Sequence, residues 1–442
     1  MFMQLSLLVT CLLFAFANAL KATTQNVLVL YDSSLTSLDN STLVTPEVSK
    51  FINYLQEQFT VTLEEYNNDE SSVYLFEDNE QESARYQHLV LFPTSKKSFS
   101  AKSNITQHTL MKFIDKYGGN VISIGDENSV LPNGIRSFLN ELGIYPSPKN
   151  YRYIDHFNSG RGSVSLNSAE NLVPGNRLVE SLDNVEYNGS GALISNNEFI
   201  FPIIKSSSTG YTGKAGEKIE GTNTWTFGEQ GYLAVGLQAL NNARVAWLGS
   251  TDLLEFENIY KWAFQKQGVL KLQYVEHYNQ KNVSAKNPHL YRINNEAVYT
   301  IGVSELIDGK WVPYKVAKDE DQFQLSFKLL DPYQRLNLIS IGPSDSEDGP
   351  LTAQTYRVNF TVPDHHGMFT FELDYKRVGL SYLQDKRVVT VRHLANDEFK
   401  RSWDITNAWL YIASLVIVIG TWFLFVVSYI YVGNTNYQKK NE

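Results

Sequence analysis

The sequence predicts an open α/β domain built on a parallel sheet, then a β-sandwich, then one C-terminal transmembrane helix. Three observations predict it. Continuous apolar runs alternate with amphipathic helical stretches as far as residue 267; the side-chain period changes to two after Gly268; and an uncharged apolar run extends from Trp409 to Val432.

The run from Asn26 to Tyr31, closed by Asp32, has no polar alternation, which is the pattern of a strand covered on both faces. Pro46 opens a helix that places Phe51, Tyr54, Leu55 and Phe59 on one face. His88 to Phe92 is a second buried strand, stopped by Pro93. Leu110, Phe113, Ile114 and Tyr117 follow helical spacing, and Gly118 and Gly119 end that helix. A third strand, Val121 to Gly125, precedes a helix carrying Ile135, Phe138, Leu139 and Leu142. Strands separated by helices long enough for crossovers define the open sheet. Short runs at 199–204, 232–236 and 245–249, with a helix presenting Phe256, Ile259, Tyr260, Ala263 and Phe264, complete it or an adjoining sheet. The stretch from Ser206 to Thr224, rich in Ser, Thr, Gly and Lys, reads as a mobile surface loop.

Strict alternation then marks Phe323 to Leu329, Val358 to Val362 and Phe369 to Tyr375, each with apolar residues at every second position. Several such strands with turn residues between them predict an antiparallel sandwich with one wet face per sheet. Asn359 falls on a wet face.

The twenty-four residues from Trp409 to Val432 reach about 36 Å as a helix, enough to cross a hydrocarbon core of roughly 30 Å with some tilt. Trp409, Tyr411, Tyr429 and Tyr431 sit near its ends, at headgroup level. Leu5 to Phe16 is too short to span and is followed by Ala17-Asn18-Ala19, a signal-peptidase pattern without the usual basic n-region. The expected organisation is a signal peptide over 1–19, a lumenal α/β domain over 20–267, a lumenal sandwich over 268–398, the transmembrane helix over 409–432 and a cytoplasmic tail over 433–442: a type I membrane protein. In the tail, Lys439 and Lys440 have the spacing of a dilysine retrieval signal for the endoplasmic reticulum. Asn407, Ser414, Thr421 and Ser428 recur every seven residues, with Ile417 and Leu424 between them and Gly420 beside. Such a seam can face a partner helix, or each hydroxyl can bond its own helix.

A net charge of -9 argues against nucleic acid as a partner. The single cysteine, Cys11, lies in the signal segment, so the mature chain carries no disulfide, thiolate metal site or cysteine nucleophile. Five N-x-S/T sequons offer glycosylation sites at Asn40, Asn104, Asn188, Asn282 and Asn359. Open α/β sheets bind ligands beyond the C-terminal strand ends, where this chain presents Asp32, Ser33 and Ser34, then Thr94 and Ser95, then Asp126 and Glu127. Two readings stand there: a hydrolase or glycan-binding pocket near Asp32 and Asp126, or acids that cap the following helices. No phosphate-cradling glycine loop or nucleophile-elbow motif accompanies a strand, which favours capping. His365 and His366 are adjacent on an extended segment and point apart, so a turn ending at Gly367 is expected rather than a metal site. No cofactor is expected.

Four separated segments, 140–149, 240–250, 363–371 and 392–403, carry a family likeness in unbroken order. The chain resembles the wheat-germ-agglutinin-binding-protein-type, non-catalytic subunit of oligosaccharyltransferase. The resemblance covers the whole mature chain. It implies membership of the endoplasmic reticulum complex that transfers a dolichyl-diphosphate-linked oligosaccharide to Asn in N-x-S/T. It also implies that catalysis belongs to a different, polytopic subunit, and that neighbours are of the ribophorin-II type and the small defender-against-cell-death type, in contact with membrane lipid. It transfers no catalytic residue to this chain.

Overall fold

The computed structural model describes residues 25–36, 45–66, 73–77, 83–98, 105–158, 163–182, 185–214, 216–217, 219–316, 321–398 and 408–431. Its first sheet has nine strands: β1 (Asn26–Tyr31), β2 (Thr60–Glu65), β3 (His88–Leu91), β4 (Asn120–Ile124), β5 (Ile144–Pro146), β6 (Ala192–Ile194), β7 (Ile200–Lys205), β8 (Tyr232–Gln238) and β9 (Arg244–Leu248). The order is β2-β1-β3-β4-β9-β8-β6-β5, with β7 on β8. From β2 to β9 all neighbours are parallel, whereas β8 pairs antiparallel with β9, β7 and β6. The sheet is therefore mixed rather than parallel throughout. The reason is the connection: 239–243 is too short for the crossover of a dozen or more residues that parallel pairing needs.

Alternate residues of β1 feed two cores. Val27, Val29 and Tyr31 pack with α1 (Pro46–Gln58) and with a helix at Glu257–Ala263, while Leu28 and Leu30 pack with α2 (Gln107–Asp115) and α3 (Asn133–Leu142). Helices thus cover both faces, which is why β1, β3 and β4 read as unbroken apolar runs. Pro46 opens α1 as the sequence implies; the structure adds a capping box of Thr106 and Thr109 on α2 and Gly143, at φ 88°, closing α3. β2 escaped the sequence reading. It is an edge strand with only Val61 and Leu63 as apolar members, and Leu63 is exposed.

The supposed loop from Ser206 to Thr224 is a correction. Tyr211–Lys214 pairs with Tyr151–Ile154 and with Thr224–Phe227 in a three-stranded sheet, and Ser206, Ser207 and Thr212 are buried. Two of its hydroxyls are spent on one buried carboxylate, while much of 214–222 stays exposed. Ser207 Oγ donates to Asp155 Oδ2 at 2.6 Å and Thr209 Oγ1 donates to Asp155 Oδ1 at 3.0 Å. Satisfied in this way, a buried carboxylate is tolerated.

The second region contains β10 (Val269–Asn279), β11 (Leu290–Arg292), β12 (Glu296–Ile307), β13 (Lys310–Pro313), β14 (Gln324–Lys328), β15 (Pro332–Asn337), β16 (Ile339–Ser346), β17 (Gly349–Thr361), β18 (Gly367–Tyr375) and β19 (Leu383–Arg392). They form two five-stranded sheets, β10-β12-β17-β16 with β13 on β12, and β11-β19-β18-β14-β15. Tyr299, Ile301, Val358 and Phe360 of one share a core with Leu325, Phe327, Phe369 and Phe371 of the other. Last comes α4 (Ala408–Ile430), none of whose side chains is buried against the rest of the chain.

Candidate functional site

The chain runs from β1 out to the edge strand β2 and then back across to β3, so the direction of winding reverses between β1 and β3. That reversal opens the crevice where open sheets bind ligands. Asp32 stands there, fully buried, and both its oxygens are occupied. Oδ1 accepts from Ser34 N at 3.0 Å and Ser34 Oγ at 2.7 Å; Oδ2 accepts from Thr94 Oγ1 at 3.0 Å, Ser95 N at 2.8 Å and Ser95 Oγ at 2.9 Å. Burial pushes this carboxyl up, but the hydrogen bonds from Ser95 and Ser34 win and hold it well below the usual carboxylate range. The result is an ionised knot that ties the β1 and β3 loops together. A general base or nucleophile needs a free lone pair, and five donors leave none well placed.

Asp126 moves the other way: burial raises its carboxyl, the amides of Glu127 and Asn128 lower it, and the charges of Glu127 and Asp252 raise it. Two acids shifted apart can signal acid and base roles. Here, however, they leave the sheet two strands apart, roughly 10 Å at the usual strand spacing, and Asp32 is already consumed. Neither acid caps a helix. The N-cap positions are Thr45 for α1, Thr106 for α2 and Pro132 for α3, each well downstream of the strand end. Asp32 thus fits neither sequence reading: it fastens the loops after β1 and β3, while Asp126 accepts from the amides of its own turn. Glu127 pairs with Arg152 at 3.4 Å.

Among the described residues, no three His, Cys, Asp or Glu side chains converge as metal ligands. His365 and His366 lie in the exposed turn before β18. His365 Nδ1 is 3.2 Å from the Tyr333 hydroxyl, and the His366 ring sits 4.4 Å from that of His393.

The residue that periodicity could not find is Arg244. It is fully buried, and its guanidinium donates to the carbonyls of Trp262 at 2.7 Å, Gln267 at 2.8 Å and Gly268 at 2.7 Å, and to Ser381 Oγ at 3.1 Å. Gln238 Nε2 donates to Leu380 O at 2.9 Å, and Asn242 exchanges two bonds with the backbone of Tyr382. The β8–β9 turn therefore clasps the second region. Its only sequence trace is that this turn lies inside one of the four family-like segments.

On α4, Ser414 donates to Tyr411 O at 2.8 Å, Thr421 to Ile417 O and Val418 O at 2.9 Å, and Ser428 to Phe425 O at 2.9 Å. Such bonds occupy the hydroxyl protons and leave the side-chain stripe exposed. Asn188, Asn282 and Asn359 are exposed. Asn40, Asn104, Asn407, Lys439 and Lys440 lie outside the described residues.

The family described as OST48, N-terminal domain, matches residues 18–285, and the OST48 middle domain matches residues 277–433. A Saccharomyces cerevisiae protein named dolichyl-diphosphooligosaccharide--protein glycosyltransferase subunit WBP1 is 35% identical over 439 residues, covering 95% of this chain and 94% of its own. The subunit of that name from Schizosaccharomyces pombe is 31% identical, covering 81% of this chain and 83% of its own. The dolichyl-diphosphooligosaccharide--protein glycosyltransferase 48 kDa subunit of Drosophila melanogaster is 27% identical, covering 96% and 95%.

Proposed function

The chain belongs to the OST48 family, and from that premise we propose that it serves oligosaccharyltransferase from the endoplasmic reticulum membrane, with its bulk in the lumen. It is an accessory subunit, not the catalyst, of the complex that carries out protein N-glycosylation. The observation that carries this reading is the extent of the family match, which runs without a gap from residue 18 to residue 433 and takes in the apolar helix. The occupied carboxylate at Asp32 supports an accessory part over a hydrolase or glycan-binding pocket at the strand ends.

In this reading residues 1–19 are a signal peptide, 20–267 an open α/β domain, 268–398 a β-sandwich, 409–432 the single type I span and 433–442 a cytoplasmic tail. The separate cores of the two lumenal regions support that division. Lys439 and Lys440 act in retrieval, and Asn40, Asn104, Asn188, Asn282 and Asn359 are the candidate glycan acceptors. Asn407, Ser414, Thr421 and Ser428 form the seam of α4 that meets neighbouring subunits. Partners are the polytopic catalytic subunit, a ribophorin-II-type subunit and a small defender-against-cell-death-type subunit, within membrane lipid. Purification of the chain in mild detergent, with identification of what stays bound, tests the reading. Co-purification of those subunits with transfer activity is expected; recovery of the chain alone, with activity intact in membranes lacking it, overturns the proposal.

A further inference from the structure

We propose that the outer face of the β10-β12-β17-β16 ladder is a cradle for carbohydrate attached to Asn282 of this same chain. The register sets the rows on that face: Tyr274 opposite Gly302 opposite Thr355, Glu276 opposite Thr300 opposite Arg357, and Tyr278 opposite Val298 opposite Asn359. With Lys286 and the 341–345 segment of β16, residues of these rows line an open cleft of about 680 Å³. That volume suits a small organic ligand, for which pockets of roughly 300–1,000 Å³ are usual.

The cleft is built rather than incidental. The Tyr274 ring occupies the space a side chain on residue 302 would need: a Cβ on Gly302 would lie 2.3 Å from Tyr274 Cε1. The Tyr274 hydroxyl is held at 2.8 Å from Ser344 Oγ and 2.7 Å from Thr355 Oγ1. Charges are balanced within it. Glu276 pairs with Lys286 at 2.7 Å, Arg357 Nε donates to Thr300 Oγ1 at 3.3 Å, and Asp345 accepts from Leu351 N at 3.1 Å. Two acids facing two bases leave no net field for an ion. Tyrosine rings beside fixed donors and acceptors suit a neutral, hydroxyl-rich ligand whose C–H faces lie on aromatic surface.

The occupant is identified by the rim. Val283, the middle residue of the Asn282 sequon, lines the cleft and is 58% exposed. Asn282 is exposed, in a turn closed by its N–H to Asn279 O at 2.8 Å. A sugar on Asn282 begins one residue from the cleft, and a tethered ligand enjoys an effective concentration in the millimolar range, so weak contacts suffice. Asn359 opens onto the same face.

The inference rests on the reading of Asn282 as an acceptor, and the experiment separates the two. In the detergent-purified complex, site-resolved glycopeptide mapping is followed by native endoglycosidase digestion of wild type and of Tyr278→Ser. The glycan on Asn282 is expected to be released at least tenfold more slowly from wild type. An unoccupied Asn282 overturns both readings; an occupied Asn282 released at equal rates overturns the cradle alone. Should Tyr278→Ser fail to fold, Asn282→Gln supplies the test. Hydrogen exchange at 274–278 and 341–345 is expected to rise several-fold without the glycan, and unchanged exchange, as a protein occupant of the cleft would give, overturns the proposal.

Discussion

At Asp32 a single carboxylate shows how a candidate catalytic residue becomes a structural one. Replacing it with Asn turns one of its oxygens into a donor that faces other donors, at a cost of about 1–3 kcal/mol. Chemical denaturation at pH 7 measures this loss. Because the folded carboxyl is depressed, its stabilisation is present above about pH 4 and is lost as pH falls toward its lower folded value. The gap between wild type and Asp32→Asn therefore narrows on acidification. Glycan transfer at equal subunit abundance should stay within tenfold of wild type, since a larger loss, above about 1.4 kcal/mol of barrier, would mean a chemical role. Two buried histidines set a second pH dependence. Burial, then Lys266, pushes His88 down to about 3; burial, then Arg387 and His289, pushes His277 down to about 4. In the unfolded chain each binds a proton near pH 6.5. Their contribution is thus full above that pH and falls from about 6.5 down to about 4 for His277 and about 3 for His88. His277→Gln should flatten part of that slope in unfolding midpoints measured across the range.

Two elements join this molecule to something else, and each has its own test. The β8–β9 turn and the first residue of β9 join the α/β region to the sandwich region, and Arg244's four acceptors lose their donors in Arg244→Met. Burial lowers the guanidinium to about 9, so the charge is retained at neutral pH at a solvation cost that the carbonyls offset. The substitution should cost about 3 kcal/mol, read as a lower unfolding midpoint, because buried carbonyls lose their donors while Gln238 and Asn242 keep the two regions joined. An unchanged midpoint would refute this. In the proposed reading, helix α4 meets neighbouring subunits in the membrane. Since Ser414 and Thr421 already bond their own backbone, bulk probes the seam better than hydroxyl removal. Phe at both positions should reduce recovery of neighbouring subunits in detergent, whereas bulky residues at Val416 and Phe423 should not. Equal recovery would leave the lumenal regions as the site of assembly.

For the whole molecule, the α/β and sandwich regions and α4 are energetically unequal. Among the described residues the apolar side chains of α4 are buried against nothing, which suits a helix whose surroundings are a bilayer. A chain ended after Glu398 should therefore unfold at the same denaturant midpoint as the full chain, within about 0.5 kcal/mol, while losing membrane attachment. A lower midpoint would show that the helix supports the fold of the rest of the chain.

By itself, the sequence determined the features that depend on local pattern. The buried runs at 26–31, 88–91 and 120–124, the helices that follow them, the alternating strands at 324–328 and 367–375 and the helix at 408–430 all announce themselves through period and length. Four ordered segments were enough to assign the family. Only the tertiary structure decided what depends on partners distant in the chain. Edge strand β2 has too few apolar residues to register. The stretch after Ser206 hides its hydroxyls on Asp155, some fifty residues upstream. Asp32 is filled by donors from the loop after β3, and Arg244 is spoken for by the carbonyls of Trp262, Gln267 and Gly268 and by the Ser381 hydroxyl. A polar side chain reads as solvated, capping or catalytic until its partners are known, because its chemistry is set by which groups satisfy it. An apolar one needs only a covered face, and periodicity already reports that.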